Sequence, residues 1–201
     1  MSRLAALALL LLAACGGNPT PQPPGPSGWS NFTKGGSVAI SNPFAFPSAS
    51  QAPLGYIYKK PPSSVLRIGQ TITLNYSIAG NATFGVTDPA DAPPATIHLF
   101  IWETGDDLTG VNQYAYYRWW CRTPAVLNIG DNRTLSCTIN ETWTSVYDAA
   151  ASAGALPAQG FAQALNNVFA VGFTFGGQSF YGHGGYAIGN ATFTIDSFTV
   201  Q

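Results

Sequence analysis

The densest run of aromatic side chains lies at Gln113–Cys121, which reads QYAYYRWWC. Read as a strand, it puts Tyr114, Tyr116, Arg118 and Trp120 on one side and Ala115, Tyr117, Trp119 and Cys121 on the other. The second set carries no charge and suits a core. The first set suits sugar recognition: ring faces stack on pyranose C–H surfaces, and Arg donates to hydroxyls. His98 and Trp102, on the non-core side of ATIHLFIW (Ala95–Trp102), are expected alongside. The alternative is that both faces are buried, one under a second sheet and one under loops or a helix. A second candidate is Tyr181-Gly-His183-Gly-Gly, where glycines allow close backbone approach and a His–Tyr pair could move a proton. The acidic loop Glu103-Thr-Gly-Asp106-Asp107 offers hard oxygens but matches no defined calcium spacing. The two histidines are far apart and no Cys/His zinc spacing occurs, so no metal is assigned. Nine scattered acids single out no carboxylate pair. No Gly-x-Ser-x-Gly elbow, phosphate loop or dinucleotide fingerprint occurs, so no catalytic residue or cofactor is assigned.

These residues need a scaffold, and the composition describes one. The chain has 201 residues, 46% apolar and 13% aromatic, enough for one ordinary domain with a real core. Only 8% are charged and the net charge is −1. No basic patch exists to bind nucleic acid. With so few charges, Thr, Ser, Asn and Gly alternate with the apolar residues, as in secreted all-β proteins.

The first residues read as an address rather than as fold. Arg3 precedes eleven consecutive Leu or Ala residues, Leu4–Ala14. As a helix, that run would span about 16 Å, too short for a hydrocarbon core of about 30 Å. It ends in Leu12-Ala13-Ala14-Cys15, which resembles the lipobox of bacterial lipoproteins. The resemblance implies cleavage before Cys15 and acylation of that residue, so that acyl chains hold the protein in a bilayer. Gly16, in place of the Asp that retains lipoproteins in the inner membrane of enteric bacteria, implies the outer membrane. The expected organisation is a signal peptide at 1–14, lipidated Cys15 with a tether to residue 28, and one domain over 29–201. Five of the thirteen residues Gly16–Gly28 are proline and none is a large hydrophobe, so the tether is an extended spacer reaching at most about 40 Å. An exported chain meets an oxidising compartment, and the remaining pair, Cys121 and Cys137, is expected to form a disulfide between neighbouring antiparallel strands. Two buried free thiols are the alternative.

Beyond the tether, period-two alternation marks strands at Thr71–Ala79, Ala95–Trp102, Arg133–Asn140, Val168–Phe175 and Ala191–Val200. In the last of these the apolar phase slips at Asp196-Ser197, which predicts a β-bulge. Pro157–Asn166 has helical spacing. Gly, Pro and Asn clusters separate the runs. The expected fold is all-β: an antiparallel sandwich, jelly-roll-like, with one short helix near 157–166. GFTFGGQSFYGHGG followed by NATFTIDSFTV resembles the closing strands of jelly-roll carbohydrate-binding modules. The combined expectation is a lipid-anchored envelope protein presenting a non-catalytic binding domain, glycan the favoured ligand. A structural or assembly protein binding protein partners through the same rings is the alternative. A polysaccharide lyase or hydrolase using His183, Tyr181 and Arg118 is a weaker one.

Overall fold

The computed structural model describes residues 28–33 and 36–201. The expected signal peptide, Cys15 and the expected tether up to Ser27 lie outside the described residues.

In chain order the elements are β1 (Ser30–Thr33), β2 (Gly36–Ala39), β3 (Phe44–Ala45), β4 (Tyr56–Lys59), β5 (Thr71–Gly80), β6 (Thr83–Val86) and β7 (Thr96–Glu103). There follow β8 (Arg118–Trp120), β9 (Ala125–Val126), β10 (Gly130–Thr138), β11 (Thr144–Ser145), α1 (Ala155–Asn166), β12 (Val168–Gly176), β13 (Gly185–Ile188) and β14 (Ala191–Val200). An eight-stranded sheet runs β11-β8-β7-β12-β4-β1-β2, with β9 also on β7, and faces a four-stranded sheet, β10-β5-β14-β3. All pairings are antiparallel. The fold is therefore the expected antiparallel sandwich with one α-helix among the described residues.

The alternation read from the sequence is what fills the space between the sheets. Ile72, Leu74, Tyr76 and Ile78 of β5 point inward and are buried, while Thr71, Thr73, Asn75 and Ser77 are half-exposed. From the large sheet come Ile57, Ile97, Leu99, Ile101, Val171, Phe173 and Phe175. Phe193 sits at the centre, its ring within 5.1–5.3 Å of those of Phe44, Tyr76 and Phe173. The register of β14 on β5 shifts between Ile195 and Ser197. That bulge absorbs the phase slip, so Phe193 and Ile195 before it and Phe198 and Val200 after it all turn toward the core. Helix α1 starts two residues earlier than its apolar spacing predicts and buries Phe161, Ala164 and Leu165 at the sandwich end.

Cys121 and Cys137 form a disulfide, with their Cα atoms 6.4 Å apart. The strands that carry them are not neighbours, as the sequence suggested. Cys121 follows β8 in the large sheet and Cys137 lies on β10 in the small one, so the bond ties the two sheets together.

Candidate functional site

The outer face of the large sheet is buried too, and it mixes aromatic with polar side chains. Tyr58, Phe100, Trp102, Trp120 and Ala170 form a second buried cluster, edged by Phe32, Tyr56, Leu108, Val146, Phe169 and Tyr181. β7 pairs with β8 so that Phe100 opposes Trp120 and Trp102 opposes Arg118. His98, Trp102, Arg118 and Trp120 thus share one face, as expected. They do not form an open row: their exposures are 1%, 6%, 7% and 4%. Loops roof them, with Leu108, Val146 and Tyr181 packing down on the cluster.

Tyr114 and Tyr116 are not in that row. Asn112–Tyr116 is a 3-10 turn rather than strand, and Asn112 opens it at a left-handed φ of 55°. Tyr114 lies against Tyr117, with ring centroids 5.0 Å apart and the rings tilted by 54°. Tyr116 turns to the opposite side, its ring 6.1 Å from that of Trp119 and its Cβ against Gly160 of α1. A Cβ at Gly160 would lie 2.4 Å from Tyr116, so glycine is what lets turn and helix meet.

What the sheet and its roof leave open is a cleft of about 70 Å³ lined by Tyr56, Arg118, Trp120, Val146, Asp148 and Ser179–His183. The 177–183 loop is held by Asp91, which is buried and accepts from the backbone N–H groups of Gly177 (2.6 Å), Ser179 (3.0 Å) and Phe180 (3.3 Å). Gly177 is glycine because a Cβ there would lie 2.4 Å from the Asp91 carboxyl. This clamp lowers Tyr181 onto His98, ring centroids 4.2 Å apart, and sets the Tyr181 hydroxyl 3.4 Å from Asp148 Oδ1. Asp148 also accepts from the Thr144 hydroxyl at 2.9 Å and pairs with Arg122 at 3.4 Å. His183 Nδ1 lies 2.8 Å from Asp88 Oδ2, and its ring stacks on Phe180 at 4.8 Å. Phe180, 37% exposed, lines the opening.

The cations of the site are already partnered. Arg118 Nε lies 2.8 Å from Asp106 Oδ2, and its Nη1 donates to the Tyr56 hydroxyl at 3.0 Å. Burial pushes the Asp106 carboxyl up and Arg118 pulls it back; burial likewise raises Tyr56, against the same guanidinium. Tyr181 is raised by burial first and by Asp148 second, so its phenol stays protonated at neutral pH. His98 is pushed down to about 4 by burial, with its Nδ1 3.2 Å from the Cys121 carbonyl and its Nε2 3.1 Å from Thr96 Oγ1. The acids of the 103–107 loop do not converge on one point. Asp106 serves Arg118, Asp107 accepts from Thr109, and Glu103 accepts from Gln163 of α1 at 2.8 Å. Among the described residues no group of three His, Cys, Asp or Glu side chains is placed to hold a metal ion.

The cleft therefore contains Arg118 and Trp120 from the predicted row, and Tyr181 and His183 from the second candidate. His98 and Trp102 lie behind its wall. Tyr56, Asp148 and the Asp91 clamp are additions that sequence reasoning did not select. The one local hint was Asp88-Pro-Ala-Asp91, a spacing of acids suited to capping a turn. Chemically, the site offers ring faces, protonated phenols and carboxylates in a partly dry pocket. No family model, curated protein or solved structure matches the chain.

Proposed function

We propose that the protein is a lipid-anchored envelope protein whose sandwich domain binds a glycan without chemically altering it. The anchor in this proposal is acylated Cys15, supported by the complete Leu12-Ala13-Ala14-Cys15 tetrapeptide. The observation that carries the ligand class is the cleft, in which the rings of Tyr56, Trp120 and Tyr181 surround the polar groups of Arg118, Asp148 and His183. A volume of about 70 Å³ admits a few waters, and so the edge of one sugar rather than a whole ring. The rest of the ring would lie on the exposed face of Phe180. Carboxylates such as Asp148 accept from sugar hydroxyls, and apolar ring faces match the C–H surfaces. Because Arg118 and Arg122 are both paired with aspartates, the site favours neutral sugars over uronates or sulfated ones. The test is a glycan array on the detergent-solubilised full chain, followed by calorimetry on the hits. Tyr181→Ala and Asp148→Ala should each weaken binding about tenfold or more, the loss of one buried or charged hydrogen bond. Absence of any binder at high micromolar concentration, or hits unaffected by both substitutions, overturns the proposal.

A polysaccharide-degrading activity is the second reading. It is favoured by the meeting of Arg118, Tyr181 and His183 in one cleft, with Asp88 orienting the imidazole. In that reading Tyr181 would be a proton donor, since its raised pKa disqualifies it as a base at neutral pH. Release of new reducing or unsaturated ends from a bound glycan, abolished by His183→Ala, would favour it over simple binding.

A further inference from the structure

The antiparallel pairing gathers one set of strand ends at a single pole of the sandwich. β1 begins there beside the end of β4, β12 begins beside the end of β7, and β5 begins beside the ends of β10 and β14. Backbone bonds from Leu66 to Leu165, from Val168 to Ser64 and from Gly69 to Ile139 bind α1 and two connecting segments to the same pole. The chain enters the domain here, at Gly28 and Trp29. The roofed cleft runs along the outer face of the large sheet, from Arg118, opposite Trp102 near this pole, to the 177–183 loop at the other end, where Thr96 pairs with Gly176.

Three features of this pole point the same way. First, an open apolar groove of about 720 Å³ crosses it, lined chiefly by Leu66, Ile68, Ala155, Ala158, Phe161 and Leu165. Second, large hydrophobes stand out at its edge: Ile68 is 58% exposed, and Leu156, beside the groove residue Ala155, is 69% exposed. Third, Lys59, Lys60 and Arg67 lie at this end, three of only eight cations in the chain, against two exposed acids, Glu141 beside the groove and Asp107 on the loop that leaves β7. Apolar side chains projecting among cations, on a face from which an N-terminal segment departs, match an anionic lipid surface: the hydrophobes enter the acyl boundary and the cations meet the headgroups.

We propose that this pole of the domain rests directly on an anionic bilayer, with Ile68 and Leu156 inserted, and so turns the 177–183 loop away from the membrane. The proposal concerns the domain's own surface and stands whether or not Cys15 is acylated or a glycan binds. The experiment is hydrogen–deuterium exchange on the full chain, with vesicles of phosphatidylcholine alone and with about 30% phosphatidylglycerol added. Peptides spanning 66–69 and 154–163 should exchange several-fold more slowly in the anionic vesicles, and those spanning 177–190 equally in both. The double substitution Ile68→Asp with Leu156→Asp should remove that protection; both side chains are exposed, so the fold is spared. Lys60→Glu with Arg67→Glu should remove it too, leaving the apolar side chains in place. Equal exchange in the two lipids overturns the proposal. So does protection that survives both double substitutions, or protection that arises without lipid as protein concentration is raised, which would mark the face as an interface between two copies. Intact mass of the N-terminal peptide reads Cys15 acylation separately.

Discussion

Acidification should expose the cost of His98. In the folded protein this imidazole is 1% exposed, with Nδ1 3.2 Å from the Cys121 carbonyl, Nε2 3.1 Å from Thr96 Oγ1 and the Tyr181 ring stacked on it. Burial, the largest influence, holds its pKa at about 4 against an ordinary 6.5, although the two backbone carbonyls and Asp91 pull it upward. Above pH 6.5 the ring is neutral in both folded and unfolded chains and stability does not depend on it. Between 6.5 and 4 the unfolded chain binds a proton that the folded one refuses, so stability falls as pH falls. At 1.36 kcal/mol per pH unit, the difference between 6.5 and about 4 costs about 3 kcal/mol by pH 4. Buried Glu103 and Asp106, whose carboxyls are pushed up, titrate with the opposite sign, so the wild-type profile alone is not diagnostic. The informative quantity is the difference between wild type and His98→Gln in denaturant unfolding at half-unit pH steps. The substitution destabilises at every pH by removing packing and a hydrogen bond, but it does not titrate. The advantage of the wild type should be constant from pH 8 to 6.5 and then shrink by about 3 kcal/mol toward pH 4. A constant difference down to pH 4, or an NMR titration of His98 near 6.5, would show that the outer face is wet rather than roofed.

Three further outcomes follow from the packing. Gly177→Ala drives a Cβ into the Asp91 carboxyl and should release the amides of the 177–183 loop, costing about 2–4 kcal/mol in thermal unfolding and weakening any glycan binding. Reducing Cys121–Cys137, sixteen residues apart, should cost about 3 kcal/mol, read as a lower denaturant midpoint in dithiothreitol. Phe193→Ala, which empties a fully buried site ringed by Phe44, Tyr76 and Phe173, should cost about 3–5 kcal/mol in the same assay.

Much of the sandwich was legible from neighbouring residues. Thr71–Gly80 alternates so regularly that its inward set could be named in advance, and the slip at Asp196-Ser197 announced the bulge that the register of β14 displays. Pro157 and the spacing of Phe161, Ala164 and Leu165 marked the helix. Alternation misled at Gln113–Tyr117, where tyrosines two apart fit a strand on paper. A left-handed Asn112 and the gap over Gly160 make a 3-10 turn there instead. Parity also placed Trp102, Arg118 and Trp120 on a common face, but could not reveal that the face is covered.

Local periodicity belongs to the sequence because it depends on which residues stand two or four apart, and a strand or helix exposes that spacing directly. The cover over the outer face does not, since it arrives from Leu108, Val146 and Tyr181, on loops separated along the chain and brought together only when the sheet forms. Pairing Arg118 with Tyr56 spans 62 residues, and seating Tyr181 on His98 requires the Asp91 clamp first. Whether an aromatic row becomes an open platform or the wall of a narrow cleft is settled by such distant contacts, so it was the tertiary structure that decided it.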